Sequence, residues 1–486
     1  MPLAVIALVG RLVVLFSLLM AVPLAFALLG EPAARAAAPA FGIALGVTLA
    51  IGALASWLTR RFRGELQPRD GFVLVTLTWT ILPAFAALPL LLAVPGLSVT
   101  DAYFEAMSGF TATGATVLSG LDALPLPVNV WRCFLMLIGG LGIIVLAVAI
   151  LPLLGVGGAQ LFKTEMAGPM KDARLTPRIA ETARGLWVVY FCFSALCLFA
   201  YHWAGMSWVD AFMHMCSTMG LGGFSSHDAS FGYWNSPRIE AVAVTFMMLA
   251  GISVAVYFTA WRQRSLRVLW ANVEARAFWL SIVATVAVIS LYLWRHGSYG
   301  SYADALRYTV FHVVSIATTT GYVSQDYTQW PVFVPLLMLL LGCFATCAGS
   351  TGGGIKIVRL LVLIKQAQRE LVRIVHPSAV NPVVMAGQIV SPRVLQSVVA
   401  YMMMYGATLM VLTFLMLSSG LDVVTAFTAV VACVNNIGPG LGHVGPALNY
   451  GSLSDFQTWV CTVGMLLGRL ELLTPLVLLT PQFWRG

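Results

Sequence analysis

Apolar runs of near-equal length follow one another along almost the whole chain. Residues 11–29 form one continuous run and 40–58 a second. Eight more lie near 71–95, 132–155, 185–204, 239–260, 276–294, 333–355, 394–418 and 456–480. Each is close to the ~20 residues that carry a helix across a bilayer. The pattern predicts ten transmembrane helices in an all-α polytopic membrane protein.

The polar positions between the runs orient them. Arg60, Arg61 and Arg63 follow the second run, and Lys163, Lys171, Arg174, Arg178 and Arg184 follow the fourth. Arg262, Arg264 and Arg267 follow the sixth; Lys356, Arg359, Lys365, Arg369, Arg373 and Arg393 follow the eighth. Basic loops after every second helix are cytoplasmic by the positive-inside rule, which puts both termini on that side. The first run, with Pro32 and the Ala-rich stretch 33–40 behind it, has the outline of a signal peptide. It is long for that, and the parity of the basic loops favours a membrane hairpin.

A second pattern lies between the helices of each later pair, in stretches too long for a turn and too apolar for an open loop. Each begins with an aspartate: Asp101, Asp210, Asp304 and Asp422. Each continues as an apolar helical segment and breaks at a glycine: Gly114, Gly222, Gly321 and Gly438. The glycines recur at intervals of roughly 100 residues, which is an internal repeat. The chain divides accordingly into a two-helix hairpin (1–64) and four helix, half-helix, loop, helix units (65–159, 160–268, 269–376 and 377–486).

The aspartates are expected to cap the half-helices and offset their positive ends. The opposite ends then carry the negative half of each dipole toward the glycine break. Glycine lets carbonyls turn inward, and polar backbone at membrane depth survives only where protein or a wet cavity satisfies it. The breaking segments are Thr111-Ala112-Thr113-Gly114, Met219-Gly220-Leu221-Gly222-Gly223, Thr318-Thr319-Thr320-Gly321 and Asn435-Asn436-Ile437-Gly438. None holds a carboxylate, so a ring of them coordinates through carbonyl oxygen, which suits a weakly hydrated monovalent cation. Glycines of this kind also serve close helix packing, but four matched copies favour the ion-path reading.

Composition agrees. Of 486 residues 59% are hydrophobic and 9% charged, against about 25% charged in soluble domains. The net charge of +8 is scattered over short loops, unlike a nucleic-acid surface. Eight cysteines sit in or beside apolar runs without a C-x-x-C pair; Cys343 and Cys347 are spaced to share a helix face, but no ligand set completes a metal site. The seven histidines form no ligand pattern, and His312 is expected to be a packing residue. With neither H-E-x-x-H nor G-x-S-x-G, an enzyme is not indicated.

The four loops resemble those of the Trk/Ktr/HKT superfamily of potassium transporters, most of all its bacterial Trk-type uptake proteins. The likeness also rests on Gly223-Phe224-Ser225, Asn435-Asn436-Ile437-Gly438-Pro439-Gly440-Leu441-Gly442, Ala348-Gly349-Ser350-Thr351-Gly352-Gly353-Gly354-Ile355-Lys356 and Gly468-Arg469-Leu470-Glu471. It implies four re-entrant pore half-helices in M1–P–M2 units around one pore. It also implies a potassium filter formed by Thr113 and Gly114, Leu221 and Gly222, Thr320 and Gly321, and Ile437 and Gly438. Family members with serine at the first filter position tend toward sodium, so Gly114 implies potassium. The resemblance further implies a homodimer in the inner membrane, gated by a cytosolic nucleotide-binding TrkA-type subunit.

Below the third loop the run 333–355 changes character. Leu336 to Leu341 reads as helix, but Gly349, Ser350, Thr351, Gly352, Gly353 and Gly354 hold a helix poorly, each glycine costing about 1 kcal/mol relative to alanine. Unwound here, the segment faces a cavity and can obstruct the pore; in the resembling family it is the gate. Gly352-Gly353-Gly354-Ile355-Lys356 lacks the spacing and the preceding strand of a phosphate loop. Arg469 lies inside the last run and needs a partner or water. Glu471, two residues on, points elsewhere, so Arg469 is expected to face the pore beneath the filter or the glycine-rich stretch. The expectation is potassium passage through a four-loop filter and this gate, the rival being a sodium- or proton-coupled carrier with alternating access.

Overall fold

The apolar runs fold as helices in the computed structural model, which describes residues 2–60, 68–145 and 175–484. Arg61, Arg63, Lys163, Lys171, Arg174 and the unit boundaries near 64 and 159 lie outside the described residues. The strands among the described residues form one short hairpin, Val384–Met385 paired with Gln388–Ile389.

Seven helices among the described residues are long and apolar enough to cross a membrane, from Leu3–Leu29 and Pro32–Leu58 to Pro392–Ser418. Large apolar side chains such as Leu54, Phe199, Leu280 and Phe414 stand exposed on these helices, as a lipid-facing surface requires. The N-terminal hairpin closes through small residues: a Cβ at Gly52 would lie 2.9 Å from the Val14 nitrogen and 3.0 Å from the Gly10 carbonyl.

Three expected spans are not continuous helices. Pro237–Ala250 and Val254–Gln263 meet at 84° across the break at Gly251 to Ser253. Phe333–Phe344 ends after 12 residues, where the Gly, Ser and Thr positions begin. Cys347 therefore lies beyond that helix and shares no helix face with Cys343; both are buried. Asp455–Arg469 ends after 15 residues, with Glu471 and Leu472 in the left-handed region at φ 55° and 53°. Lys356 and Arg359 also depart from expectation. They belong to no cytoplasmic loop but are buried at the start of the helix Ile357–Val375.

The four short helices Val99–Phe110, Trp208–Gly220, Tyr302–Ala317 and Val423–Val434 are buried along most of their length and pack against the long ones. Their caps correct the sequence reading. In the first three the N-cap is serine: Ser98, Ser207 and Ser301 accept from the N–H of Asp101, Asp210 and Asp304 and donate to their carboxylates. Only Asp422 is itself the cap, accepting from the Thr425 N–H at 2.9 Å. The aspartates still offset the positive helix ends, but three do so from the first turn.

Candidate functional site

Each short helix ends the same way. Its last turn is followed by a left-handed residue: Ala112 (φ 52°), Leu221 (53°), Thr319 (60°) and Asn436 (53°). The next residue donates its N–H five residues back, Thr113 to Ser108, Gly222 to Ser217, Thr320 to Ser315 and Ile437 to Ala432, at 2.8 to 2.9 Å. A second left-handed residue follows, and here it is always glycine: Gly114 (85°), Gly223 (81°), Gly321 (84°) and Gly438 (95°). This alternation turns successive carbonyls to one side.

The register corrects one predicted pair. In the second loop the glycine equivalent to Gly114, Gly321 and Gly438 is Gly223. Gly222 takes the place of Thr113, Thr320 and Ile437, and Leu221 that of Ala112, Thr319 and Asn436. Two adjacent glycines hid this offset, because the letters alone do not say which one carries the positive φ.

The loops close on one another in a cycle. A Cβ on Gly114 would strike the Gly222 carbonyl, one on Gly223 the Thr320 carbonyl, one on Gly321 the Ile437 carbonyl, and one on Gly438 the Thr113 carbonyl. Four units therefore meet in one rotational sense, and all four glycines open into the same cavity. Thr113, Thr320 and Asn436 are completely buried. Their side chains are engaged: Thr113 Oγ1 with Thr111 Oγ1 at 2.7 Å, Thr320 Oγ1 with Thr318 Oγ1 at 2.8 Å, and Asn436 Nδ2 donating to Thr113 Oγ1 at 2.9 Å. What remains without a partner among these groups is backbone oxygen and the Asn436 Oδ1.

Behind each loop stands a polar side chain that sequence reading did not single out for this purpose. Glu105 accepts from the Val117 N–H at 3.0 Å and from the Thr116 hydroxyl, and pairs with Arg132 at 2.6 Å, both fully buried. His214 Nε2 meets Ser225 Oγ at 3.0 Å. His312 Nε2 accepts from the Ser324 and Gln325 N–H groups at 3.3 and 3.4 Å. Thr428 Oγ1 accepts from the Leu441 N–H at 2.9 Å. His312 is therefore more than a packing residue: it ties the stretch above Gly321 to its own helix. The signal was present, since Glu105, His214 and His312 each lie nine residues before a ring glycine.

Above the ring, His227 joins the first two units. It pairs with Asp122, lies 3.5 Å from Asp210 and stacks on Tyr233 at 3.6 Å. Asp228 accepts from the Gly120 and Leu121 N–H groups at 3.1 and 2.8 Å. Burial opposes charge on His227, but the Asp210 and Asp122 carboxylates beside it outweigh burial and hold the imidazole above its ordinary value. The hydrogen bond with His227 holds the Asp122 carboxyl below its own.

Beneath the ring, residues 345–356 run without regular helix. A Cβ on Gly353 would strike the Asn435 carbonyl and one on Gly352 would lie 3.1 Å from that of Thr318, so the segment abuts the third and fourth helix ends. Gly353 donates its N–H to Thr319 Oγ1 at 2.8 Å, and Thr351 its hydroxyl to the Met219 carbonyl at 3.0 Å. Gly349 accepts from the Val254 N–H at 3.3 Å. Ser350 stays local, bonded to the Cys347 carbonyl, and Gly354 is left-handed at φ 78°.

Buried cations surround this segment. Arg469, 3% exposed, donates to the Thr351 carbonyl at 2.8 Å and the Gly139 carbonyl at 3.2 Å, so it does lie against the glycine-rich stretch. Glu471 pairs not with Arg469 but with Arg359, whose guanidinium lies 4.1 Å over Tyr401. The Lys356 ammonium bonds the Gly352 carbonyl and lies 3.3 Å from that of Gly353 and 3.5 Å from Thr346 Oγ1. A second buried carboxylate, Glu274, accepts from the Ala348 N–H at 2.8 Å.

The chain was compared with known proteins. The family model TrkH, described as Cation transport protein, matches residues 37–485. The "Trk system potassium uptake protein TrkH" of Salmonella typhimurium is 44% identical over 484 residues, 99% of each chain. The TrkG protein of Escherichia coli K12, also named a Trk system potassium uptake protein, is 38% identical over 480 residues, covering 98% of this chain and 97% of its own. The crystal structure of the potassium transporter TrkH from Vibrio parahaemolyticus superposes with a TM-score of 0.92 at 42% identity, covering 99% of both chains.

Proposed function

Because the chain belongs to the TrkH family of cation transport proteins, we propose that this multi-pass membrane protein takes up potassium through the ring of four glycine turns. The observation that carries the reading is the closed cycle in which each ring glycine packs on the carbonyl before the next. That cycle supplies carbonyls of Thr113, Gly222, Thr320 and Ile437 at equivalent positions, with the negative ends of four short helices close by. Carbonyl rings without carboxylates favour a monovalent ion that sheds its water easily. The single rotational sense supports one central pore over two inverted halves.

The finer organisation follows from this reading. Ten membrane crossings, some of them broken, and four re-entrant half-helices make up a hairpin and four M1–P–M2 units, with both termini at the cytoplasmic side of a bacterial inner membrane. The segment from Gly349 to Gly354, held by Arg469, closes the path beneath the ring. Two chains associate, each with its own pore, and a cytosolic TrkA-type nucleotide-binding subunit moves the closed segment. The supports for these points are the family and the burial of this segment among fixed cations.

The test is rubidium uptake into potassium-starved vesicles, with sodium as competitor, with and without a pH gradient. Rubidium is expected to enter ahead of sodium, and Gly114→Ser to raise the sodium share. Equal uptake of the two ions by the unaltered protein would overturn the filter assignment.

A further inference from the structure

The mechanism above uses Arg469 and leaves a second buried cation without a role. Lys356 is 8% exposed and stands at the N-terminus of Ile357–Val375 with φ 73° and ψ 136°. That backbone region is disfavoured for any residue with a Cβ and persists only where the surroundings impose it. It is held there by the flanking bonds of the Ile355 and Ile357 N–H groups to the Cys343 and Thr346 carbonyls, at 2.8 and 2.9 Å, and by its ammonium, set among the Gly352 and Gly353 carbonyls and the Thr346 hydroxyl. Thr346 donates its own proton to the Gly353 carbonyl at 2.6 Å, which turns its lone pairs toward the lysine. The nearest carboxylate of the cluster, Glu471, is committed to Arg359.

We propose that the oxygens of Gly352, Gly353 and Thr346 form a monovalent-cation site of which the Lys356 ammonium is the tethered occupant. An ammonium group and a potassium ion are similar in size and charge, and both are satisfied by neutral oxygen. The cage has no carboxylate to favour a divalent ion. It also lies in the segment that abuts the third and fourth helix ends, directly below the carbonyl ring. With Lys356 in place the cage is full and an ion leaving the ring meets a fixed positive charge. With Lys356 withdrawn, the same oxygens receive the ion, and the strained backbone at residue 356 is free to relax. The lysine is thus a specificity and occupancy device for the path proposed above, and the inference rests on that reading.

The experiment is anomalous scattering from thallium-soaked full-length protein. In the unaltered protein, signal is expected at the ring of Thr113, Gly222, Thr320 and Ile437 and none at the cage. Lys356→Met should add a peak among the three cage oxygens, and Lys356→Met with Thr346→Val should lose that peak and keep the ring. A ring peak without a cage peak in Lys356→Met overturns the tethered-ion proposal and leaves the filter standing. A missing ring peak in every protein overturns the filter, and the cage is then judged on its own peak. Should Lys356→Met fail to fold, the unaltered protein decides. Rising rubidium should increase labelling of Lys356 by a small amine reagent, with N-methylglucamine ineffective, and labelling indifferent to rubidium overturns the proposal.

Discussion

The carbonyl ring and the segment directly below it are built on opposite principles. The ring is made of four near-identical turns, each with two left-handed residues and each pressed on the next. Its side chains bond to one another, and charge is kept behind it in the Glu105–Arg132 pair. The layer beneath comes chiefly from one unit and has no symmetry. It is held by the cations Lys356, Arg359 and Arg469 and by two carboxylates, Glu471 on Arg359 and Glu274 on the Ala348 N–H. Packed interiors do not deform continuously, so a symmetric, mutually braced ring is suited to discriminate and not to move. A segment fastened by a few side-chain bonds to carbonyls can be released by breaking those bonds. The proposed function thus divides selection and gating between different kinds of structure.

The largest expected effect tests the ring at its least obvious member. Gly223→Ala forces a Cβ onto the Thr320 carbonyl at φ 81°, against the backbone of Thr320 and Gly321. The strain alone is about 1–3 kcal/mol, and rubidium uptake should fall about 5- to 150-fold, by transition-state arithmetic. Gly222→Ala one residue earlier meets only the Met136 side chain, which can swing aside, and should retain most of the uptake. The reverse order would break the register that makes the four turns equivalent.

That contrast also marks where the sequence ceased to be legible. Alternating hydrophobicity and basic loops expose the spans, and aspartate and glycine spacing exposes four units, because both follow from local chemistry. Three ring glycines can be read directly because each is the first after a Thr or Asn-Ile run. The fourth cannot, since Gly222 and Gly223 are adjacent and only the packing of the third loop decides between them. Ser98, Ser207 and Ser301 hid as caps because the aspartates three residues later carry the stronger chemical signal. Lys356 and Arg359 looked like a cytoplasmic basic cluster. Their burial depends on where Phe333–Phe344 unwinds and on the Glu471 carboxylate reaching Arg359 from the far end of the chain.

An intermediate effect separates the two layers. Arg469→Ala removes the bonds to the Thr351 and Gly139 carbonyls without touching any ring residue. Each charged hydrogen bond is worth about 1.5–3 kcal/mol, so basal rubidium flux should rise by roughly tenfold. The rubidium-to-sodium ratio should stay that of the unaltered protein. A changed ratio would mean that the asymmetric layer also selects, and the division between the two structures would fail.

The smallest effect concerns the side of the ring away from the glycine-rich segment, where His227 ties Asp122 of the first unit to Asp210 of the second. His227 sits above its ordinary value of 6.5, so its contribution is whole below that value and is lost as pH rises through the higher folded one. Asp122 sits below its ordinary 3.8, so its contribution is present above that value and lost as pH falls through the lower folded one. The latch is therefore strongest between these limits and weakens on the alkaline side first under ordinary conditions. Partly exposed pairs of this kind contribute about 0.2–1 kcal/mol. The thermal midpoint of the purified protein should decline slightly as pH rises past the His227 transition. His227→Asn, which keeps a polar side chain but cannot take the charge, should flatten that slope while leaving the rubidium-to-sodium ratio unchanged. An altered ratio would make the latch part of the selecting ring, whereas an unchanged slope would assign the pH response to another group.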